Sequence, residues 1–315
     1  MPPTVEEQFF PVWIVGVFAA SVGAWFFLTT LFFQRGAVLP YEPRRPVPWS
    51  VWATLLAVVH VVGGFASSAV VKSESAKNGM DIESTLALGI FSTFMFVIVF
   101  LIAVAIISEA TRADLGLPAS LRQMARDILV GAVCCLAAYG PVMAVGALML
   151  QLFGRPEWHP MIQDVLKNPN SIVFALAFVS AVVVAPIVEE LIFRLLLQGW
   201  LEKWEDRMLG WRWVESPPGD PTLPQPDPLE TLVEAKPPVA GVGFMPYGSL
   251  PILVSSVMFA SAHIGHSTDP FPLLVLSLFL GFVYQRTHRI VPCIIAHAIF
   301  NFISMLALWQ ILFSK

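Results

Sequence analysis

Long apolar runs separated by short polar connections dominate this chain. Runs that can cross a bilayer fall at about 11–33, 49–71, 84–108, 128–153, 171–203, 249–266, 270–286 and 290–313, since a crossing helix needs roughly 20 apolar residues. The pattern predicts an all-α, polytopic membrane protein of about eight transmembrane helices, of which the sixth and seventh are the shortest. Between the third and fourth runs lies LPASLRQMARDIL, in which Ser120 can cap a short amphipathic helix at the membrane interface. One polar insertion, 205–248, has nine prolines in 44 residues. So many prolines interrupt helix and sheet alike, and an irregular cytoplasmic loop is expected. No internal repeat is visible. The organisation predicted is an N-terminal three-span extension, 1–118, followed by a core, 119–315, that contains the insertion.

Composition agrees with a membrane protein. Hydrophobic residues make up 57% of the chain and charged residues 13%, against roughly 25% charged in a soluble domain. Net charge is -4, with no basic tail, so nucleic acid is excluded as a partner and the lipid bilayer is the expected surroundings. The first run follows the acidic segment MPPTVEEQFF and exceeds 20 residues, which reads as a retained span and not a signal peptide. With the N-terminus outside, inner connections hold Arg35, Arg44, Arg45, Arg112, Arg122, Arg126, Lys203, Arg207, Arg212, Lys236, Arg286 and Arg289, twelve against five outside. Both termini are therefore expected on the non-cytoplasmic face, in the plasma membrane. Cys134, Cys135 and Cys293 lie in apolar runs without metal or disulfide spacing.

The chemistry begins at VVAPIVEELIFRLLLQGW, residues 183–200, where Glu189, Glu190 and Arg194 interrupt an apolar run. Each such charge costs about 2.5–3.5 kcal/mol in a membrane span. Glu190 and Arg194 are four apart, the spacing of an ion pair on one helix face, and Gln198 continues that stripe. Glu189 points ~100° away and is left for another task. Pro186 can kink the helix just before it. An ion pair that only glues helices would explain Glu190 and Arg194 but not Glu189.

Two later runs add polar groups. FASAHIGH sets Phe259 and His263 on one face, and HAIFN sets His297 and Asn301 on one face. Measured from the expected inner ends, Glu189, His263, Asn301 and His297 lie ~21, ~20, ~17 and ~11 Å deep, so all can meet within one bilayer. A buried carboxylate beside a histidine can take a proton from water, and a histidine and an asparagine can stabilise an oxyanion. Glu189, His263 and His297 are also a possible zinc set. The HExxH pattern that would favour zinc is absent, so no cofactor is the expectation.

EExxxR (Glu189, Glu190, Arg194), FxxxH (Phe259, His263) and HxxxN (His297, Asn301), in this order on three late spans, resemble the CPBP family. That family comprises CAAX-processing and bacteriocin-processing intramembrane endopeptidases, also called Rce1-like or ABI proteins. The resemblance covers roughly 119–313. It implies a helical membrane chamber that hydrolyses peptide bonds of membrane-associated proteins or peptides. It implies that Glu189 activates water with His263, that His297 and Asn301 stabilise the oxyanion, and that Glu190, Arg194 and Phe259 support them. Leu195 stands where members commonly have glycine.

Other readings use the same residues. A proton-coupled transporter also needs intramembrane Glu, His and Arg, although no inverted repeat is present. A non-catalytic scaffold or immunity protein would not need the set intact. His60, His159 and His266 read as structural or interfacial, and His288, between Arg286 and Arg289, as part of a basic topology anchor. Trp200, Trp204, Trp211 and Trp213 read as an interfacial aromatic belt.

Overall fold

A computed structural model describes residues 12–42, 46–56, 59, 81–154, 160–167, 170–208, 248–264 and 270–313. Among these residues there are helices and no strands. The helices are α1 (Val12–Arg35), α2 (Ile82–Ile107), α3 (Leu121–Phe153), α4 (Pro160–Lys167), α5 (Ser171–Met208), α6 (Leu250–Ser261), α7 (Pro270–Thr287) and α8 (Ile290–Phe313). Among the described residues, five helices are long and apolar enough to cross a membrane: Trp13–Arg35, Ile82–Ile107, Leu121–Phe153, Ser171–Met208 and Ile290–Phe313. The protein is an integral, multi-pass helical membrane protein. The eight expected spans are not all met by that test. The second expected span is described only at 46–56 and 59, with 51–56 helical, and α6 stops at 12 residues.

The amphipathic segment before the fourth run is not a separate interfacial helix. Ser120 caps it as expected, its Oγ accepting from the Gln123 N–H at 3.1 Å, while Gln123 Oε1 accepts from the Ala119 N–H at 2.6 Å. The helix then continues for 33 residues to Phe153. No proline or glycine separates its first turns from the apolar run (Pro141 lies further on), and the polar face of those turns is used by Asp127, which pairs with Arg289, just before α8, at 2.6 Å.

α3 is the central strut. α8 lies along it, α7 and α1 pack against it, and α5 packs between α8 and the pair α6–α7. Gly131 lets α3 and α8 approach closely, since a Cβ there would lie 2.6 Å from the Pro292 carbonyl oxygen. α2 is tied to α5 at its start, where Asn170 caps α5 and donates to Glu83 at 2.6 Å.

α5 is not a regular α-helix. Residues Ser180–Val184 and Leu191–Gln198 are wound as π-helix. Pro186 accounts for the first. The Ala185 N–H bonds to the Ser180 carbonyl. Five residues after Ala181 stands Pro186, which has no N–H to give. The Ala181 carbonyl therefore lacks a donor from its own helix. Asn301 of α8 supplies one, its Nδ2 donating to that oxygen at 2.7 Å. In the second π segment the Leu196 carbonyl takes the Trp49 indole at 3.3 Å and the Thr54 hydroxyl at 3.2 Å. π-bulges of this kind recur at functional sites because they turn backbone and side chains out of helical register.

Most of the Pro-rich insertion, 209–247, lies outside the described residues, as do His60, His159, His266, Trp211 and Trp213. Its two ends meet, because the Glu205 carboxylate accepts from the Gly248 backbone and Gln285 donates to the Gly248 carbonyl at 3.1 Å.

Candidate active site

The irregular α5 delivers two adjacent glutamates to different surroundings. Glu190 is fully buried. Its Oε2 pairs with Arg194 Nε at 3.0 Å, as the spacing predicted. Its Oε1 accepts from His297 Nδ1 at 2.9 Å. A carboxylate paired with arginine only accepts, so Nδ1 carries the proton of that bond and Nε2 is the imidazole nitrogen free for other work.

Glu189 faces the other ring nitrogen. Its Oε2 lies 3.8 Å from His297 Nε2 and makes no hydrogen bond among the described residues. The side chain keeps 23% exposure, against none for Glu190, so it alone of the pair is reachable. A carboxylate this far inside an apolar bundle without a donor is unusual, because buried polar groups are normally satisfied.

Arg194 is held on every side. Nη2 donates to Ser277 on α7 at 2.7 Å and Nη1 reaches Ser255 on α6 at 3.4 Å. The guanidinium lies 5.3 Å from the centre of the Phe259 ring. Ser255 also donates to Gln198 Oε1 at 3.2 Å, and Gln198 donates to the Gly281 carbonyl and to Glu202. The expected stripe Glu190, Arg194, Gln198 is therefore the backbone of a buried polar network. Ser255 and Ser277 were not among the residues the motifs single out. Their only sequence signal is a hydroxyl in an apolar run, which is too common to stand out.

Phe259 joins the two histidines. It is fully buried, with its ring centre 5.1 Å from that of His263 and 5.7 Å from that of His297. His263 donates from Nδ1 to the Phe259 carbonyl at 2.9 Å, one turn back on its helix. Its Nε2 is the remaining nitrogen, and the residue is part-exposed. Asn301 stands one turn beyond His297 on α8, with one of its two amide hydrogens on the Ala181 carbonyl. The structure thus brings Glu189, Glu190, Arg194, His297 and Phe259 into one cluster. His263 joins it through the Phe259 ring and Asn301 through the π-wound part of α5. Glu189, His263 and His297 do not form a metal-ligand group, and no group of three or more His, Cys, Asp or Glu with that geometry occurs among the described residues. Leu195 is fully buried.

His288 differs most from its sequence reading. It is buried, in left-handed backbone geometry, and bonds to the Glu42 carbonyl at 2.7 Å and to Glu202 at 3.2 Å. It packs between the rings of Tyr41 and Tyr284. One of its partners, Glu42, lies 246 residues earlier in the chain, which no local pattern could reveal.

The family model described as type II CAAX prenyl endopeptidase Rce1-like matches residues 171–216 and 239–303, and these stretches contain all seven motif residues. No curated protein and no solved structure matches the chain. The family match supports intramembrane proteolysis of the CAAX-processing type as the general activity. This multi-pass membrane protein carries, from α5 to α8, a region that matches the Rce1-like family model.

Proposed function

We propose that the protein is an endopeptidase that hydrolyses peptide bonds of membrane-associated proteins or peptides by a glutamate-activated water, with no metal in the step. The observation that carries this reading is the contrast between the two glutamates. Arg194 and His297 neutralise Glu190, while Glu189, one residue away, is reachable, unbonded and 3.8 Å from His297. In this reading Glu189 takes a proton from water, with the His263 Nε2 edge helping to hold that water. The resulting hydroxide attacks the scissile carbonyl. His297 acts as an imidazolium, one N–H on Glu190 and the other, at Nε2, donating to the oxyanion together with the second amide hydrogen of Asn301. Collapse breaks the C–N bond as Glu189 returns its proton to the leaving amine. Glu190 and Arg194 fix the orientation of His297, and Phe259 spaces the two imidazoles. The substrate class to test first is a prenylated CAAX-type tail. Arg35 and Arg286 stand at the C-terminal ends of α1 and α7, and Arg122, Arg126 and Arg289 at the N-terminal ends of α3 and α8; taken as the cytoplasmic side, this basic end supports termini on the non-cytoplasmic side.

The test is purified protein in liposomes with a farnesylated peptide ending in a CAAX sequence, following the released C-terminal fragment. Glu189→Gln keeps shape and removes the base, so turnover is expected to fall by about 10²-fold or more. Unchanged turnover in a folded variant would remove Glu189 from the role.

A further inference from the structure

A second feature lies away from the glutamate cluster. Between α1, α3 and α7 runs an apolar cleft of about 640 Å³. Its walls include Phe32 of α1, Val133 and Ala137 of α3, and Phe282 of α7. One end is closed by Trp25, whose indole donates to the Ala137 carbonyl at 2.9 Å. The other end is framed by Arg35 and Arg126. From Trp25 to Arg35 is ten helical residues, ~15 Å, which is about the depth of one leaflet of the hydrocarbon core. The cleft is therefore the length of one acyl chain and runs along the helices.

The charges at its mouth are unequal. Arg35 is exposed and makes no hydrogen bond or ion pair among the described residues. Arg126 is half exposed and shares Glu42, at 3.1 Å, with Arg289. Asp127 also pairs with Arg289, so Glu42 and Asp127 together balance Arg126 and Arg289, and Arg35 is the uncompensated positive charge beside the apolar slot. An apolar space of this size in a bilayer is not left empty, because its lining would lose its dispersion contacts. We propose that the cleft is a binding site for one anionic membrane phospholipid, its acyl chain along α1 and α3 and its phosphate on Arg35 and Arg126. Basic clefts between spans at the leaflet surface recognise anionic headgroups through the same charge complementarity. The inference does not depend on the proteolytic reading, since none of the motif residues lines the cleft.

The test is native mass spectrometry of the full-length protein in mild detergent, offered phosphatidylglycerol and phosphatidylcholine with identical chains. One phosphatidylglycerol per chain is expected to be retained in preference. In Arg35→Gln and Arg126→Gln the preference is expected to drop about fivefold each, the worth of one surface arginine against an anionic headgroup. Both arginines are solvent-facing, so these variants fold. Val133→Trp, which fills the slot, should displace the lipid, and Phe26→Trp, on the exposed side of α1 and outside the cleft lining, serves as its folding control. Equal retention of the two lipids, or a phosphatidylglycerol preference untouched by the double arginine variant, would overturn the assignment. Displacement of the bound lipid by farnesol, with the arginine variants binding as the wild type does, would give the cleft to an isoprenoid and overturn it as well.

Discussion

Glu189 and Glu190 share a backbone and almost nothing else, and their substitutions should separate cleanly. Glu190→Gln removes the charge that compensates Arg194 and His297 in a site with no water access. Breaking a buried pair in this way is expected to cost about 3–5 kcal/mol, read as a lower thermal unfolding temperature in detergent. Glu189→Gln breaks no hydrogen bond the structure shows and weakens only the 3.8 Å contact with His297, so its cost should be far smaller, about 1 kcal/mol or less. The division was legible in the sequence, because a 100° step around a helix keeps neighbours from sharing a partner. What could not be read was that His297 stands between the two carboxylates, one ring nitrogen toward each. That arrangement depends on the rotation of α8 against α5, set by packing and not by spacing.

At the scale of elements, α5 is where sequence and structure diverge most usefully. Pro186 predicts a kink. The structure gives a π-wound segment with an orphaned carbonyl at Ala181, satisfied by Asn301. Asn301→Ala should therefore cost about 1–3 kcal/mol, the price of an unpaired buried carbonyl, in addition to its effect on turnover. In a Pro186→Ala background an N–H returns to the helix. The Asn301→Ala penalty should then shrink, and a double-mutant cycle on unfolding measures that coupling. Additive penalties would mean that Pro186 does not create the orphan. α3 shows the same divergence, since the sequence pattern predicts two pieces where the structure has one helix. Its polar first turns look interfacial alone, but they face Arg289 across the bundle. Gly131→Leu should force α3 from α8 and lose about 1–3 kcal/mol through overpacking, again by thermal unfolding.

At the scale of the whole molecule, the segment before the matched region is tied into it. Lys203 donates to the carbonyls of Val47 and Trp49 at 2.7 and 3.0 Å, and the Glu42 N–H donates to the Arg286 carbonyl at 2.8 Å. Glu42 also meets Arg289, which pairs with the fully buried Asp127. These contacts span far too much sequence for motifs to reveal, whereas the order of apolar runs and the three motifs were visible at once. Asp127→Asn is expected to destabilise the protein by about 3 kcal/mol. The Pro-rich insertion should behave oppositely. Its ends already meet at Glu205 and Gly248, and loop length adds little to closure cost. Replacing 209–247 by a short Gly/Ser linker should leave the unfolding temperature unchanged.

The measurement that bears most directly on the central claim is a comparison of new protein termini in membranes from cells making the wild type or Glu189→Gln at equal, folded levels. Termini present only with the wild type are expected, and they would name the substrates. Identical termini in both membranes, across several growth conditions, would contradict a glutamate-dependent protease.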